Sequence, residues 1–376
     1  MLVYKAWGCL PLATHSFKSF HFSKLSRSFT TTSIMSKERV CIIGSGNWGS
    51  AVGKIIGQNV LNFPNLFEPQ VNQWVFEETY KGEKLTEVIN RKHENVKYLP
   101  GITFGDNIKA VPDLTEACEG ASVLVFVLPH QFVRGVCEKM KGHISDKARA
   151  ISLIKGLDIS SDGVTIFSDE ISRILEIDVA ALSGANIADE VAREKFCETT
   201  IGSSSPEVGD LFFKLFHTPY FRVNVIRDHV GLQLCGALKN VVAVAAGFTD
   251  GLKYGSNTKA AIIRRGLMEM RKFGKTFFTT VESETFFESC GVADLITTCS
   301  GGRNRKVAEA YVTSGKPFEV LERELLNGQK LQGTLTAQEV HEFLSARKMV
   351  DEFPLFHTVY KICYEVHFGV LNTHLS

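Results

Sequence analysis

Lys239 is a lysine in surroundings that should not tolerate one. It lies within Cys235-Gly-Ala-Leu-Lys-Asn-Val-Val-Ala-Val-Ala-Ala-Gly-Phe248, a run otherwise built of small and aliphatic residues with helical character. An unpaired buried ammonium is so costly that it loses its proton or acquires a partner. Either outcome makes Lys239 a candidate acid/base near neutral pH. The plainer reading is a lysine at the helix surface whose stem reaches water. Asp294, flanked by apolar residues in Gly291-Val-Ala-Asp-Leu-Ile296, is the counter-charge a buried lysine would need. Arg303 follows Gly301-Gly302, where one helix should end and another begin. A guanidinium beside the free N–H groups of a helix start is a receptor for phosphate or carboxylate, although an arginine in a surface turn would look the same in sequence.

The elements that must hold such residues begin near the N-terminus. Arg39-Val-Cys-Ile-Ile43 reads as a short strand and feeds Gly44-Ser45-Gly46-Asn47-Trp48-Gly49, which opens a helical pattern of small residues. In that context the first glycine allows the tight turn, the second lets a pyrophosphate approach the backbone, and the third lets helix and strand pack closely. The next strand, Val71-Asn-Gln-Trp-Val-Phe-Glu-Glu78, ends in acids rather than an arginine, which favours NAD over NADP. Glu77 lies further beyond Gly49 than the usual ~20-residue spacing, and a loop from Asn59 to Pro69 is expected to absorb the excess. Phe76 is the alternative adenine-side contact, with the glutamates simply solvated.

Continuous apolar runs follow at Ser122–Leu128, Ala150–Ile154 and Val179–Leu182, the signature of parallel strands covered on both faces. Each leads into polar or special residues: Pro129-His-Gln-Phe132, Lys155-Gly156 and Ser183-Gly-Ala-Asn-Ile-Ala188. Ligands of open α/β sheets bind outside the carboxyl ends of the strands, so these residues are expected at one crevice. After about residue 225 the spacing becomes helical, from Gly231 to Phe278 and again from Arg303 to Leu344. The expected architecture is an α/β chain: a Rossmann-like, doubly wound, mostly parallel sheet over 36–225 and an all-α substrate domain over 226–376. Asn327-Gly-Gln-Lys-Leu-Gln-Gly333 reads as a glycine-bounded polar loop, either a lid able to close over the cofactor or an ordinary connection between helices.

With 376 residues, 44% of them hydrophobic, the chain can hold two domains with separate cores. Its 42 basic and 41 acidic side chains argue against a nucleic-acid partner. No apolar stretch is expected to reach the length of a membrane span. The nine cysteines contain no Cys-x-x-Cys pair, so neither a metal site nor a disulfide framework is implied, and reduced thiols fit a cytosol-like compartment. Residues 1–35 carry Lys5, Lys18, Lys24 and Arg27, no acid, and many serines and threonines, the composition of a mitochondrial presequence. Without a clean amphipathic period, an alternative start near Met35 and a cytoplasmic body remain the competing expectation.

In order along the chain, Gly44–Gly49, Trp74-Val-Phe-Glu-Glu78, His93-Glu-Asn-Val-Lys-Tyr-Leu-Pro100, Pro129–Phe132, Ser152–Gly156, Gly184–Ala188, Lys195–Thr200, Gly236–Asn240, Gly291–Lys306 and Glu324–Gly333 resemble the eukaryotic type of NAD-dependent glycerol-3-phosphate dehydrogenase. The resemblance runs from residue 37 to Tyr364. It implies hydride transfer between NADH and dihydroxyacetone phosphate to give glycerol 3-phosphate, and a homodimer. It further implies Lys239 as acid/base and Lys155 as a second active-site lysine that contacts substrate. Asn240, Asp294 and Thr298 are implied as orienting groups, and Arg303 and Asn304 as the substrate-phosphate site. Phe76, Phe132, Ala188, Arg303, Lys330 and Gln332 join the glycine loop as NAD contacts. Ser256, where an acid is expected, the unusual Lys253-Tyr254 and the C-terminus from Phe368 depart from the pattern. A dehydrogenase of another small phosphorylated or carboxylated hydroxy compound, and a silent NADH-sensing binder, are the alternatives. The silent binder would suit a chain lacking Lys239, Lys155 or Asp294.

Overall fold

The computed structural model describes residues 36–160 and 163–365. The basic leader over 1–35 and the C-terminal residues from Phe368 lie outside the described residues. The described residues from Lys37 onward form one compact unit.

Its sheet has eight strands: β1 (Glu38–Ile43), β2 (Phe67–Trp74), β3 (Ile108–Val111), β4 (Val123–Phe126), β5 (Arg149–Ser152), β6 (Asp178–Ser183), β7 (Cys197–Gly202) and β8 (Phe221–Ile226). Their spatial order is β3-β2-β1-β4-β5-β6-β7-β8. The first six strands are parallel and follow the doubly wound dinucleotide-binding order. β7 turns antiparallel to β6, pairing Ser183 with Thr200, and β8 runs parallel to β7. Period-2 alternation splits the buried residues between two faces. Val40, Ile42, Val123 and Val125 belong to one apolar cluster, while Cys41, Ile43, Leu124 and Phe126 belong to the other.

Three of these eight strands were not expected from sequence. β3 is short, whereas β7 and β8 interleave polar residues such as Glu198, Arg222 and Asn224 with their apolar ones. The expected loop from Asn59 to Pro69 is also corrected. Its first residues finish the helix Asn47–Asn62, a turn occupies 63–66, and β2 already begins at Phe67. A long helix and a long strand, not an insertion, account for the spacing.

Beyond β8 the described elements are helical. His229–Gly251 runs through the middle and is buried over nearly its whole length. Around it pack Ser256–Phe277, Asp294–Gly301, Arg303–Ser314, Gln332–Ala346 and Pro354–Tyr364. Buried Asp228 caps this helix by accepting from Gly231 N–H at 2.7 Å. It also accepts from Glu282 N–H and Thr285 Oγ1, each at 2.7 Å, which ties a later segment to the same point. The expectation that no segment approaches membrane-span length is overturned: His229–Gly251 is long and apolar enough by length and composition. Its apolar surface is covered by the neighbouring helices.

Candidate active site

β1 delivers the chain into the glycine turn at the point where the strand order reverses, between β1 and β4. Gly44 has φ +120°, and a Cβ there would lie 2.1 Å from the Val127 carbonyl oxygen, so only glycine fits. Gly46 is the opposite case. A Cβ on it would meet nothing within 4 Å, and it stands at the N-cap of Asn47–Asn62 with no side chain capping the helix. The first turn of that helix carries no acid. An open approach to uncapped N–H groups at the positive end of a helix fits a dinucleotide pyrophosphate. Ser45, Asn47 and Trp48 complete the turn, with Asn47 Nδ2 donating to the Tyr98 carbonyl at 2.9 Å.

Two buried amides brace the turn from beneath. Gln73 Nε2 donates to the Gly44 carbonyl at 2.9 Å and to that of Gly49 at 3.2 Å. Asn95 Nδ2 donates to the Ser45 carbonyl at 2.8 Å and to Ser50 Oγ at 2.9 Å. Sequence reasoning gave neither a role. Gln73 is one of several polar residues in β2, beside Gln70 and Asn72, so nothing in the sequence singled it out, and Asn95 offered no signal either.

Beyond β2, Phe76 is exposed, while both acids are occupied by protein groups. Glu77 accepts from Thr86 Oγ1 at 2.6 Å and from Thr86 N–H, and Glu78 pairs with Lys97 and accepts from Tyr98 Oη at 2.6 Å. The glutamates are therefore neither merely solvated nor free, and the exposed ring of Phe76 is the group left open here. Phe132 is likewise exposed, in the turn His130–Phe132 after β4. Ala188 opens a short helix after β6.

The lysines meet at the carboxyl ends of β5 and β6. Lys239, only 5% exposed, has Nζ 2.5 Å from Asp294 Oδ1 and donates to Thr298 Oγ1 at 2.9 Å. Thr298 Oγ1 in turn donates to the Asp294 carbonyl at 2.7 Å. Lys155, just beyond β5, places Nζ 3.1 Å from Asp294 Oδ2 and 3.3 Å from the Gly184 carbonyl at the end of β6. One buried carboxylate therefore holds one lysine on each oxygen. Burial depresses the Lys239 ammonium, and the charge of Lys155 adds to that effect. Asp294 opposes both, and the outcome is a pKa lowered to about 7. The Lys155 side chain is 36% exposed, so this cation is open to a ligand while Lys239 lies behind it in the protein.

Asn240, next to Lys239, accepts from Asn304 Nδ2 at 2.9 Å, and Asn304 Oδ1 accepts the Gly333 N–H at 2.8 Å. Arg303 starts its helix directly after Gly302 and is exposed, with Nη1 donating to Gln329 Oε1 at 3.0 Å. In the loop beyond, Lys330 pairs with Glu322 at 3.0 Å, and Gln332 Nε2 donates to Thr336 Oγ1 at 3.2 Å. The hydrogen bonds thus join Lys155, Lys239, Asp294 and Thr298 in one cluster and Asn240, Asn304 and Gly333 in an adjoining one. Phe76, Phe132 and Ala188 stand apart from both, on the strand ends. Lys253 and Tyr254, unusual in sequence, form an exposed turn in which Lys253 takes φ +57°, and Ser256 opens the next helix without a side-chain cap.

Comparison with known proteins gives a consistent result. Residues 39–209 match the family model for the NAD-dependent glycerol-3-phosphate dehydrogenase N-terminus, and residues 228–367 that for its C-terminus. The human cytoplasmic glycerol-3-phosphate dehydrogenase [NAD(+)] is 57% identical over 332 residues, covering 88% of this chain and 95% of the relative. A probable glycerol-3-phosphate dehydrogenase 2 of Caenorhabditis elegans is 56% identical over 355 residues, covering 91% of each. The solved structure of glycerol-3-phosphate dehydrogenase from Saccharomyces cerevisiae aligns with a TM-score of 0.85 at 48% identity, over 90% of this chain and 99% of that one.

Proposed function

The chain belongs to the NAD-dependent glycerol-3-phosphate dehydrogenase family, and from that premise we propose how its residues carry the interconversion of dihydroxyacetone phosphate and glycerol 3-phosphate. It is an oxidoreductase acting on a CH–OH group, and NAD is its cofactor. Bound NADH supplies the hydride that adds to the carbonyl carbon.

Lys239 gives a proton to the carbonyl oxygen as that carbon is reduced, and takes it back from the hydroxyl in the reverse direction. Lys155 stands in the open part of the site and stabilises the charge that grows on the same oxygen. Asp294 holds both lysines and offsets their repulsion. Thr298 fixes the direction of the Lys239 ammonium, and Asn240 and Asn304 pass the position of the central helix to the start of the Arg303 helix. Arg303, with Asn304 and the N–H groups of that helix start, receives the substrate phosphate. Binding energy from this remote group then serves to orient the ketone. Gly44, Ser45, Gly46, Asn47, Trp48 and Gly49 hold the pyrophosphate, while Phe76, Phe132, Ala188, Arg303, Lys330 and Gln332 contact the rest of the cofactor. In this reading 36–225 binds the cofactor, 226–376 supplies the catalytic groups, and the working form is a homodimer. The body beginning near Met35 is cytoplasmic in this reading, as the human relative's name says of that protein. Fusing residues 1–35 to a fluorescent protein decides whether they direct a cargo to mitochondria.

The observation that carries the reading is the Lys239–Asp294–Lys155 cluster at the strand ends. Its test is NADH oxidation by the chain starting at Met35, with dihydroxyacetone phosphate and with unphosphorylated dihydroxyacetone, beside Lys239→Ala. Turnover confined to the phosphorylated ketone and lost in the variant is the expected result. Equal turnover of both ketones would remove the phosphate role of Arg303, and full activity in the variant would remove Lys239 from the chemistry.

A further inference from the structure

Lys330, a cofactor contact in the reading above, is already held by the protein. Its Nζ lies 3.0 Å from Glu322 Oε2, and the two ends of this pair differ sharply: the Lys330 side chain is 64% exposed, whereas that of Glu322 is 7% exposed. The second carboxylate oxygen, Oε1, accepts the Leu331 N–H at 2.9 Å. The main-chain carbonyl of Glu322 accepts the N–H groups of Asn327 and Gly328. Asn327 and Gly328 both adopt left-handed backbone, φ +52° and +82°, and reverse the chain there. One residue therefore fastens the loop 327–331 at both ends, by its carbonyl at the entry and by its carboxylate at the exit.

The buried carboxylate is fixed by the Leu331 N–H, so its second oxygen gives the exposed Lys330 ammonium one defined anchoring point. The ammonium keeps further N–H donors for a ligand, because a lysine has three. Glu322 is a poor candidate for direct contact, since both of its oxygens are spent on the loop.

We propose that Glu322 is a positioning residue for the cofactor. It acts through Lys330, whose ammonium it fixes at the turn into the helix Gln332–Ala346, where that ammonium would meet the dinucleotide. The inference rests on the reading of Lys330 as a cofactor contact.

The test is a double-mutant cycle on the full chain, E322Q with K330M, read by NADH fluorescence titration and by the separate KM values for NADH and dihydroxyacetone phosphate. E322Q keeps an acceptor for Leu331 N–H but removes the charge that fixes the lysine. In the otherwise unchanged enzyme it is expected to weaken NADH binding by about tenfold, the scale of a lost charge-assisted hydrogen bond, while the KM for the ketone moves by less than about twofold. Added to K330M, it should change NADH affinity by less than about twofold, because the group it acts through is gone. Equal weakening in both backgrounds would reduce Glu322 to a support of the loop and overturn the proposal. So would a K330M that weakens NADH beside an E322Q that does not. A K330M with unaltered NADH affinity would overturn the reading of Lys330 itself, and the inference with it, while leaving the Lys239 test untouched. If E322Q does not fold, E322D, which keeps the charge but draws it back by one methylene, takes its place in the same cycle.

Discussion

In the proposed reaction Lys239 handles the one proton exchanged with the substrate. Lys239→Ala should lower kcat by roughly two to four orders of magnitude, the scale of a lost general acid, measured at saturating ketone and NADH. Its pKa near 7 also fixes the sign of the pH dependence. With Lys239 as the acid, ketone reduction needs its protonated form, and kcat/KM should fall as pH rises through about 7. Oxidation of the alcohol needs the neutral amine and should rise through the same region. Asp294 raises the Lys239 pKa, so Asp294→Asn should move the falling limb of the reduction profile to lower pH; a limb that stays in place would show that the carboxylate does not set it. Much at this scale was legible in sequence. A lone lysine and a lone aspartate inside apolar runs are conspicuous because each must answer for a burial cost. Gln73, Asn95 and Glu322 were not legible as site residues. Their work depends on which carbonyl, N–H or ammonium the fold brings to them, and Glu322 looks in sequence like one of several acids on an amphipathic helix.

At the scale of elements, the glycine turn separates two kinds of necessity. Gly44→Ala meets both a forbidden φ and the Val127 carbonyl, and should cost about 1–3 kcal/mol of stability as well as cofactor affinity. Gly46 has φ −63° and open space. Gly46→Ala should therefore leave the thermal midpoint within a degree or two, roughly what a surface change produces, yet weaken NADH binding by about tenfold or more. Differential scanning fluorimetry with and without NADH distinguishes them; a Gly46→Ala protein that binds NADH normally would mean the pyrophosphate passes elsewhere. The turn, the strand before it and the helix after it were readable because their chemistry is local. β7 and β8 were not, since mixed polar and apolar residues suit a strand only once a neighbour defines which face is covered. The helix end at Asn62 was hidden by Pro64 and Pro69, which suggested a loop where Pro69 in fact sits within β2.

For the molecule as a whole, the sheet and the helices share their polar fastenings. Ser289 Oγ donates to the Glu198 carbonyl of β7 at 2.7 Å, Gln233 Nε2 donates to Ser168 Oγ at 2.8 Å, and Asp294 bridges Lys155 to Lys239. The change of pattern read near residue 225 falls between the end of β8 at Ile226 and the helix start at His229. The packing of the later helices around one axis was invisible, because it depends on contacts between segments far apart in sequence. Asp228 is the point where the two patterns join, and Asp228→Ala removes a cap and strands two further donors. The expected loss is about 2–4 kcal/mol, combining the cost of a lost cap with that of buried unsatisfied N–H and O–H groups. Urea unfolding followed by circular dichroism measures it; a loss under about 0.5 kcal/mol, the size of an ordinary surface change, would show that water replaces the carboxylate.

The helix His229–Gly251 has a life before the fold exists. While it emerges from the ribosome, this 23-residue segment is long and apolar enough, by length and composition, to cross a bilayer. Insertion machinery weighs such a segment residue by residue, and a lysine at its centre counts roughly 2.5–3.5 kcal/mol against entry. Lys239 stands beside the midpoint of that helix. We therefore expect Lys239→Leu to raise the inserted fraction of this segment in a cell-free microsomal assay, and equal insertion of both sequences would shift the discrimination to the flanking residues. On this view the ammonium proposed to handle the proton in the finished enzyme would also help keep the newborn chain out of the membrane, so one side chain would answer to two unrelated pressures.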